Sequence, residues 1–283
     1  MTNEGMRANW TTGGEGWVRN ERIFDAIFTP FTAALLDVAD LASARRVLDV
    51  GCGGGTLLAA AVDAGADAVG VDISPTMTEA AQRRVPTATV ITDDAQSADL
   101  LAAAPGAPFD RIVSRFGVMF FSDPVAAFAN LAAASASGGR LAFVCWRADQ
   151  LDVFSLGLAP LLARYDGEPP LPQVGAPGPL GLADRDHLAH VLTAAGWVDL
   201  SIEPVDGVSD YAIDGSDGVE ERLAVALSGM AGRAAQAQLE PTLGPAGWAA
   251  ALDEVRAELR RHLVDGALRV TNGIWVVTAA NPA

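Results

Sequence analysis

Val47-Leu48-Asp49-Val50 runs into Gly51-Cys52-Gly53-Gly54-Gly55-Thr56, and no other stretch of the chain limits its fold so strongly. The first four residues read as a buried β-strand. The glycines then read as a tight turn that opens a helix. Glycines at 51, 53 and 55 remove side chains where backbone must approach a ligand, and they accept positive φ without cost. The helix N-terminus beyond supplies unpaired N–H groups and the positive end of a dipole. A second apolar run, Ala68-Val69-Gly70-Val71, ends in Asp72, 21 residues after Gly51. That is close to the spacing at which nucleotide-binding α/β units set a carboxylate on ribose hydroxyls.

The rest of the N-terminal half alternates in the same way. Strands are expected at 47–51, 68–72, 88–92, 110–114 and 140–146. Helices are expected at 56–64, 75–84, 97–104 and 124–135, the last started by Asp123 as cap and Pro124 at its first position. Such alternation predicts a doubly wound α/β fold with a mostly parallel sheet and right-handed crossovers. Ligands in such sheets lie beyond the carboxyl ends of the strands.

The segment Asp49-x-Gly51-x-Gly53-x-Gly55 resembles the first motif of the class I S-adenosylmethionine-dependent methyltransferases, a Rossmann-like family. Three further matches follow in order: Asp93-Asp94-Ala95 closing the third strand, Phe109 to Phe116 at the fourth, and Gly138-Gly139 before the fifth. The resemblance covers residues 47–146 and is looser outside them. It implies a seven-stranded sheet with helices on both faces, and S-adenosyl-L-methionine as cofactor. Carried over residue by residue, it implies Gly51 and Gly53 beneath the methionine and ribose portions, and Asp72 on the ribose hydroxyls. Ile73 would pack on adenine, Asp94 would accept from the adenine amino group beside Ala95, and Ser114 would offer its backbone carbonyl to the amino-acid end. Asp93 competes for the adenine role, which the Asp-Ala pairing gives to Asp94. Asp49 either orders the turn or steers the cofactor's ammonium through water. Trp17 is read either as a lid over the cofactor or as an aromatic that fastens the N-terminal segment.

The third glycine of a dinucleotide fingerprint, counted from Gly51, would fall at position 56, which holds Thr56. An NAD(P)-type oxidoreductase is therefore the weaker alternative. A cofactor-binding protein of this fold that transfers no methyl group is another. Ser114-Arg115-Phe116-Gly117 follows the fourth strand where enzymes acting on nucleic-acid bases or protein amides carry an Asn-Pro-Pro-Tyr-type motif. A net charge of −16 also opposes phosphate backbones, so nucleic acid is not expected as a partner.

Residues 21–41 carry apolar side chains at helical spacing and read as one or two helices, with Pro30 starting the second or kinking the pair. Residues 1–20 look too polar for a core element and too aromatic for a passive tail. The expected organisation is N-terminal helices and cofactor-binding core over 1–148, a cap insertion over 149–183, core again over 184–206, a second, helical insertion over 207–268, and a last core strand over 269–283. Within these, 197–205 and 268–279 read as strands, the latter antiparallel and at or near the sheet edge. The Pro- and Gly-rich 149–183 is too long for an ordinary connection. With few charges over 151–163, it suggests an apolar or aromatic small-molecule acceptor, extension of the core or a homodimer face being the other uses of such residues.

Phe116, Met119, Phe120 and Trp146 follow the fourth and fifth strands and are the candidate acceptor-pocket residues. Tyr165 and Tyr211 lie in the insertions and could touch the acceptor. His187 and His190 fall on the flank of a helix begun at Asp184, and His262 on an Arg-rich helix side, so no catalytic base is assigned. Cys52 and Cys145 read as buried thiols of a reducing compartment, and no Cys or His spacing suggests a metal. No apolar run reaches the ~20 residues that span a bilayer. The first residues lack a basic stretch followed by an apolar one, so a cytoplasmic enzyme is expected. The reaction expected is methyl transfer to a small molecule, oxygen first, then nitrogen or carbon.

Overall fold

The structure is a computed structural model that describes residues 3–149 and 151–282. Met1, Thr2, Gln150 and Ala283 belong to the expected N-terminal segment, first insertion and last strand segment, and lie outside the described residues.

Three helices open the chain: α1 (Asn3–Arg19), α2 (Glu21–Ile27) and α3 (Thr29–Ala39), with Pro30 in the first turn of α3. The alternating core follows as β1 (Arg46–Val50), α4 (Thr56–Asp63), β2 (Asp67–Asp72), α5 (Pro75–Arg84), β3 (Thr89–Thr92), α6 (Leu100–Ala103), β4 (Phe109–Arg115), α7 (Pro124–Ala134) and β5 (Ser135–Trp146). Next come the short α8 (Ala159–Leu162), α9 (Arg185–Ala194), β6 (Val198–Asp210), α10 (Val219–Ser228), α11 (Met230–Arg260), the two-residue β7 (Leu263–Val264) and β8 (Ala267–Ala280).

The main sheet runs β3-β2-β1-β4-β5-β8-β6, with β7 added as a short hairpin on β8. The five strands from β3 to β5 are mutually parallel, and β8 lies antiparallel between β5 and β6. The expected seven-stranded path is thus present, with one extra two-residue strand. All five positions of β1 are buried, so helices cover it on both faces, as parallel sheets require. On the β5–β6 side, α7 and α9 pack together, and the Trp197 indole donates to the Phe128 carbonyl at 3.0 Å inside that layer.

Asp123 and Asp184 cap their helices as expected, each accepting from a backbone N–H three residues on. Four elements differ from the sequence reading. The segment before α2, expected to be neither core nor tail, is helical. Its glycines serve close packing: a Cβ at Gly13 would lie 2.9 Å from Arg233 Nη1, and one at Gly14 would lie 2.9 Å from Ser74 Oγ. The helix expected over 97–104 shrinks to the single turn of α6, which Asp99 caps. β6 continues past 205 to Asp210, because residues 206–210 pair with 269–273 of β8 and alternate buried with exposed positions. α11 is broken at Gly244 (φ +67°, ψ 174°), with Pro241 and Pro245 beside it, an interruption that the reading of 207–268 as a helical insertion did not include; Val255 and Leu259 are buried beyond the break. Among the described residues no helix is long and apolar enough to cross a membrane.

Candidate functional site

The carboxyl ends of β1, β2, β3 and β4 converge on one cavity of about 300 Å³. Its floor is the glycine turn. Gly51 holds φ +67° against Gly117, whose Cα would lie 2.7 Å from a Cβ on Gly51, so this glycine is required by the close crossing of two backbones. Gly53 holds φ +52°, and a Cβ there would meet nothing within 4 Å, so its bare face opens onto the cavity.

Asp72, at the end of β2, binds the turn directly. Its Oδ2 accepts from Gly53 N–H at 3.0 Å and its Oδ1 from Ser74 N–H at 2.9 Å. Burial pushes its pKa upward, and these backbone N–H groups work against that shift. A carboxylate has about four lone-pair sites, so acceptor capacity remains. Beside it, Asp49 is 2% exposed and its Oδ2 has no hydrogen-bond partner. Burial, with the neighbouring Asp72 charge adding and Arg115 opposing, pushes the Asp49 pKa up to about 7.

A charged network flanks the turn. The Arg84 Nη1 lies 2.8 Å from both Glu21 Oε1 and Asp25 Oδ2. Thr56 Oγ1 donates to Asp25 Oδ1 at 2.8 Å, and Arg115, 3.7 Å from the same carboxylate, donates to Thr32 Oγ1 at 2.8 Å. At the far side of the turn, Asp94 Oδ1 accepts from Gln96 N–H at 3.0 Å, and the Arg7 guanidinium reaches Asp93 at 4.0 Å.

The remaining wall is aromatic. Trp17 stacks on Phe24 with centroids 3.8 Å apart and 2° between planes, and Trp10 meets Phe120 edge-on at 5.0 Å. Phe116 stacks on Trp146 at 4.2 Å and 9°, with Phe28 at 5.1 Å and Phe154 beyond Trp146. Phe116 holds φ +62°, an unusual backbone state for a bulky side chain that functional sites often retain.

Gly51, Gly53, Asp72, Ile73, Asp94, Ala95 and Trp17 all line this cavity, as do Phe116, Met119, Phe120 and Trp146. Among the residues assigned to the cofactor or the acceptor pocket, Ser114 alone does not line it. Its fully buried side chain donates to the Val50 carbonyl at 2.7 Å and accepts from Gly117 N–H at 3.1 Å, tying β4 to β1 behind the turn. Tyr211 lines the cavity, whereas Tyr165 and the three histidines do not. Arg115, Asp25, Arg222 and Asn272 also line it and went unassigned in the sequence. Arg115 was accessible to the strand-end rule, since it closes β4. Arg222 and Asn272 carry no local signal. Among the described residues no cluster of three or more His, Cys, Asp or Glu is placed to hold a metal.

Residues 47–139 match the model of a methyltransferase domain. The chain is 33% identical over 148 residues to the aklanonic acid methyltransferase DauC of Streptomyces sp. (strain C5), covering 50% of this chain and 64% of that protein. It is 28% identical over 181 residues to the demethylmenaquinone methyltransferase of Paenarthrobacter aurescens, covering 61% and 70%. The fold is similar to that of the YcgJ protein from Bacillus subtilis, at TM-score 0.54 and 19% identity, covering 89% of this chain and 99% of that one. It is also similar to a Haemonchus contortus phosphoethanolamine N-methyltransferase 2 in complex with S-adenosyl-L-methionine, at TM-score 0.50 and 17% identity, covering 93% and 57%. Residues 47–139 thus resemble a methyltransferase domain, and the glycine turn and sheet order fit the Rossmann-like fold of class I methyltransferases; the matched region spans less than two thirds of the length of DauC.

Proposed function

We propose that this protein transfers a methyl group from S-adenosylmethionine to a small apolar or aromatic acceptor, with oxygen as the atom methylated. The single observation that carries this reading is the continuity of one cavity from the Gly51–Gly53 turn to the Phe116–Trp146 stack. The named relatives act on small molecules, one described by an acid and the other by a demethylmenaquinone, which supports a small acceptor.

The residues present fit the cofactor. Gly53 leaves open space for a ribose or methionine portion, Asp72 retains lone pairs for ribose hydroxyls, and the unpartnered Asp49 Oδ2 suits a cationic neighbour. In this reading Ile73 and Ala95 flank adenine, Asp94 accepts from its amino group, and Trp17 closes over the site from α1. Ser114 acts through its hydrogen bonds to Val50 and Gly117, which hold the turn in register.

The cofactor supplies an activated methyl group on sulfur with an excellent leaving group. The chain's own task is to hold the acceptor in line with that methyl group and to keep water out, a contribution that can reach ~7–11 kcal/mol for well-aligned reactants. The aromatic wall does both. The two insertions serve as the cap, since Phe154 and Pro170 come from the first and Val225 and Met230 from the second, and all line the cavity. Among the described residues no histidine lines it, so an acceptor oxygen that needs a base would have to use one of the lining carboxylates, such as Asp49.

The experiment is incubation with methyl-labelled S-adenosylmethionine and a panel of hydroxy- and carboxy-substituted aromatics, with products followed by mass. Label in an ester or ether product supports the reading. Label on nitrogen or carbon alone moves the acceptor atom. No transfer to any acceptor, with cofactor bound, favours a non-methylating member of the fold.

A further inference from the structure

Five arginines that are buried or half-buried, Arg46, Arg111, Arg115, Arg147 and Arg256, each lie within 4 Å of a carboxylate. Two others, Arg222 and Arg233, have no such partner among the described residues, in a chain of net charge −16. Both come from the second insertion and both line the cavity. Arg233 spends its two terminal nitrogens on the Ser228 carbonyl and Asn9 Oδ1. Arg222 differs. It is 3% exposed and its hydrogen bonds run through Nη2 alone, to the carbonyls of Val153 at 2.6 Å and Leu156 at 2.9 Å. Its Nε is buried with no partner. The adjacent Glu221 makes no ion pair with it, because neighbouring side chains on a helix point to different faces. Burying a cation without a counter-charge is unfavourable, and so is burying a donor without an acceptor. The Tyr211 ring, 5.8 Å from Arg222 Cζ, offsets this only in part.

We propose that Arg222 anchors the acceptor, which carries a carboxylate that pairs with this guanidinium at the cavity end walled by Tyr211, Phe154 and Val225. The inference rests on the methyltransferase reading and names its substrate class. One cation with a free donor beside aromatic and aliphatic side chains matches a single planar negative charge, which a guanidinium recognises through its fork of N–H groups. The competing use of Arg222 is purely structural, as a clamp from α10 to the carbonyls of residues 153 and 156.

The test measures binding to the protein saturated with S-adenosylhomocysteine, by calorimetry. The probes are naphthoic and anthracene carboxylic acids, each paired with its neutral primary amide. The proteins are wild type, Arg222→Gln and Arg222→Lys, with circular dichroism to check folding. The acids should bind wild type about tenfold or more tighter than the amides, a charge-assisted pair being roughly twice as strong as a neutral one. That preference should fall below about twofold in Arg222→Gln and survive in part in Arg222→Lys, which keeps the charge but not the fork. Equal binding of acid and amide, no acid binding at millimolar concentration, or a preference that survives in folded Arg222→Gln each overturns the proposal and leaves Arg222 as a clamp. Failure of the wild type to bind S-adenosylhomocysteine is a different result: it overturns the methyltransferase reading, and this proposal with it.

Discussion

The Phe116 ring lies flat on Trp146, 4.2 Å between centroids and 9° between planes, at the ends of two adjacent parallel strands. The stack depends on an uncommon backbone: Phe116 sits at φ +62° while its N–H donates to the Val144 carbonyl at 3.1 Å. The same residue therefore ends the strand through its backbone and walls the aromatic end of the cavity through its ring.

Phe116→Ala should separate those two roles. Loss of a buried aromatic costs about 3–5 kcal/mol in a closed core. At this cavity edge the cost should fall at or below the lower end, read by urea unfolding. Affinity for S-adenosylhomocysteine should stay within about twofold, while KM for any identified acceptor should rise by roughly tenfold, equal to about 1.4 kcal/mol. A large loss of S-adenosylhomocysteine affinity with unchanged acceptor KM would move Phe116 to the cofactor end.

Two glycines in the turn should respond differently to alanine. Gly51→Ala sets a Cβ 2.7 Å from the Gly117 Cα at φ +67°, so strain and overlap should together destabilise the fold by about 2–4 kcal/mol. Gly53→Ala meets no atom within 4 Å and should cost only the left-handed backbone penalty of about 1–2 kcal/mol. It should instead weaken S-adenosylhomocysteine binding, because its new methyl group occupies the cofactor's approach. Thermal unfolding and calorimetry on the two variants check the contrast, and equal stability losses would remove it.

Asp49 gives the stability a specific pH dependence. Its folded pKa of about 7 lies above the unfolded value, so its favourable contribution is present in full below the unfolded pKa and is lost as pH rises through about 7. Asp49→Asn lacks the ionisation. Relative to wild type, the variant should gain roughly 1–3 kcal/mol between pH 5 and pH 8. Denaturant midpoints across that range measure the difference. A gap between the two proteins that does not change with pH would show that Asp49 ionises normally.

Much of this arrangement was legible in the sequence. The strand-turn-helix at 47–56 and Asp72 are local features, and local rules read them. Ordered strand ends then bring Asp94, Ala95 and Phe116 to the same side without any tertiary information. What escaped depends on distant pairing. The extension of β6 to Asp210 is set by its partner Arg269 on β8, and nothing near Asp210 announces it. The α1 glycines look like helix breakers until Ser74 and Arg233 appear opposite them. Arg222 sits one turn into an ordinary amphipathic helix, and its lack of a carboxylate partner is a fact of three-dimensional packing alone. Ser114 was named for its backbone carbonyl at that strand end; that its hydroxyl also ties Val50 to Gly117 behind the turn follows from packing alone.

The most direct measurement is calorimetric titration of the wild-type protein and Asp72→Ala with S-adenosylhomocysteine, with NADH as comparator. The account predicts micromolar binding of S-adenosylhomocysteine to wild type, no comparable binding of NADH, and a loss of about tenfold to a hundredfold in Asp72→Ala, as expected for hydrogen bonds to a charged group. No binding of S-adenosylhomocysteine, or a preference for NADH, would contradict it and return the glycine turn to a dinucleotide-binding or purely structural role.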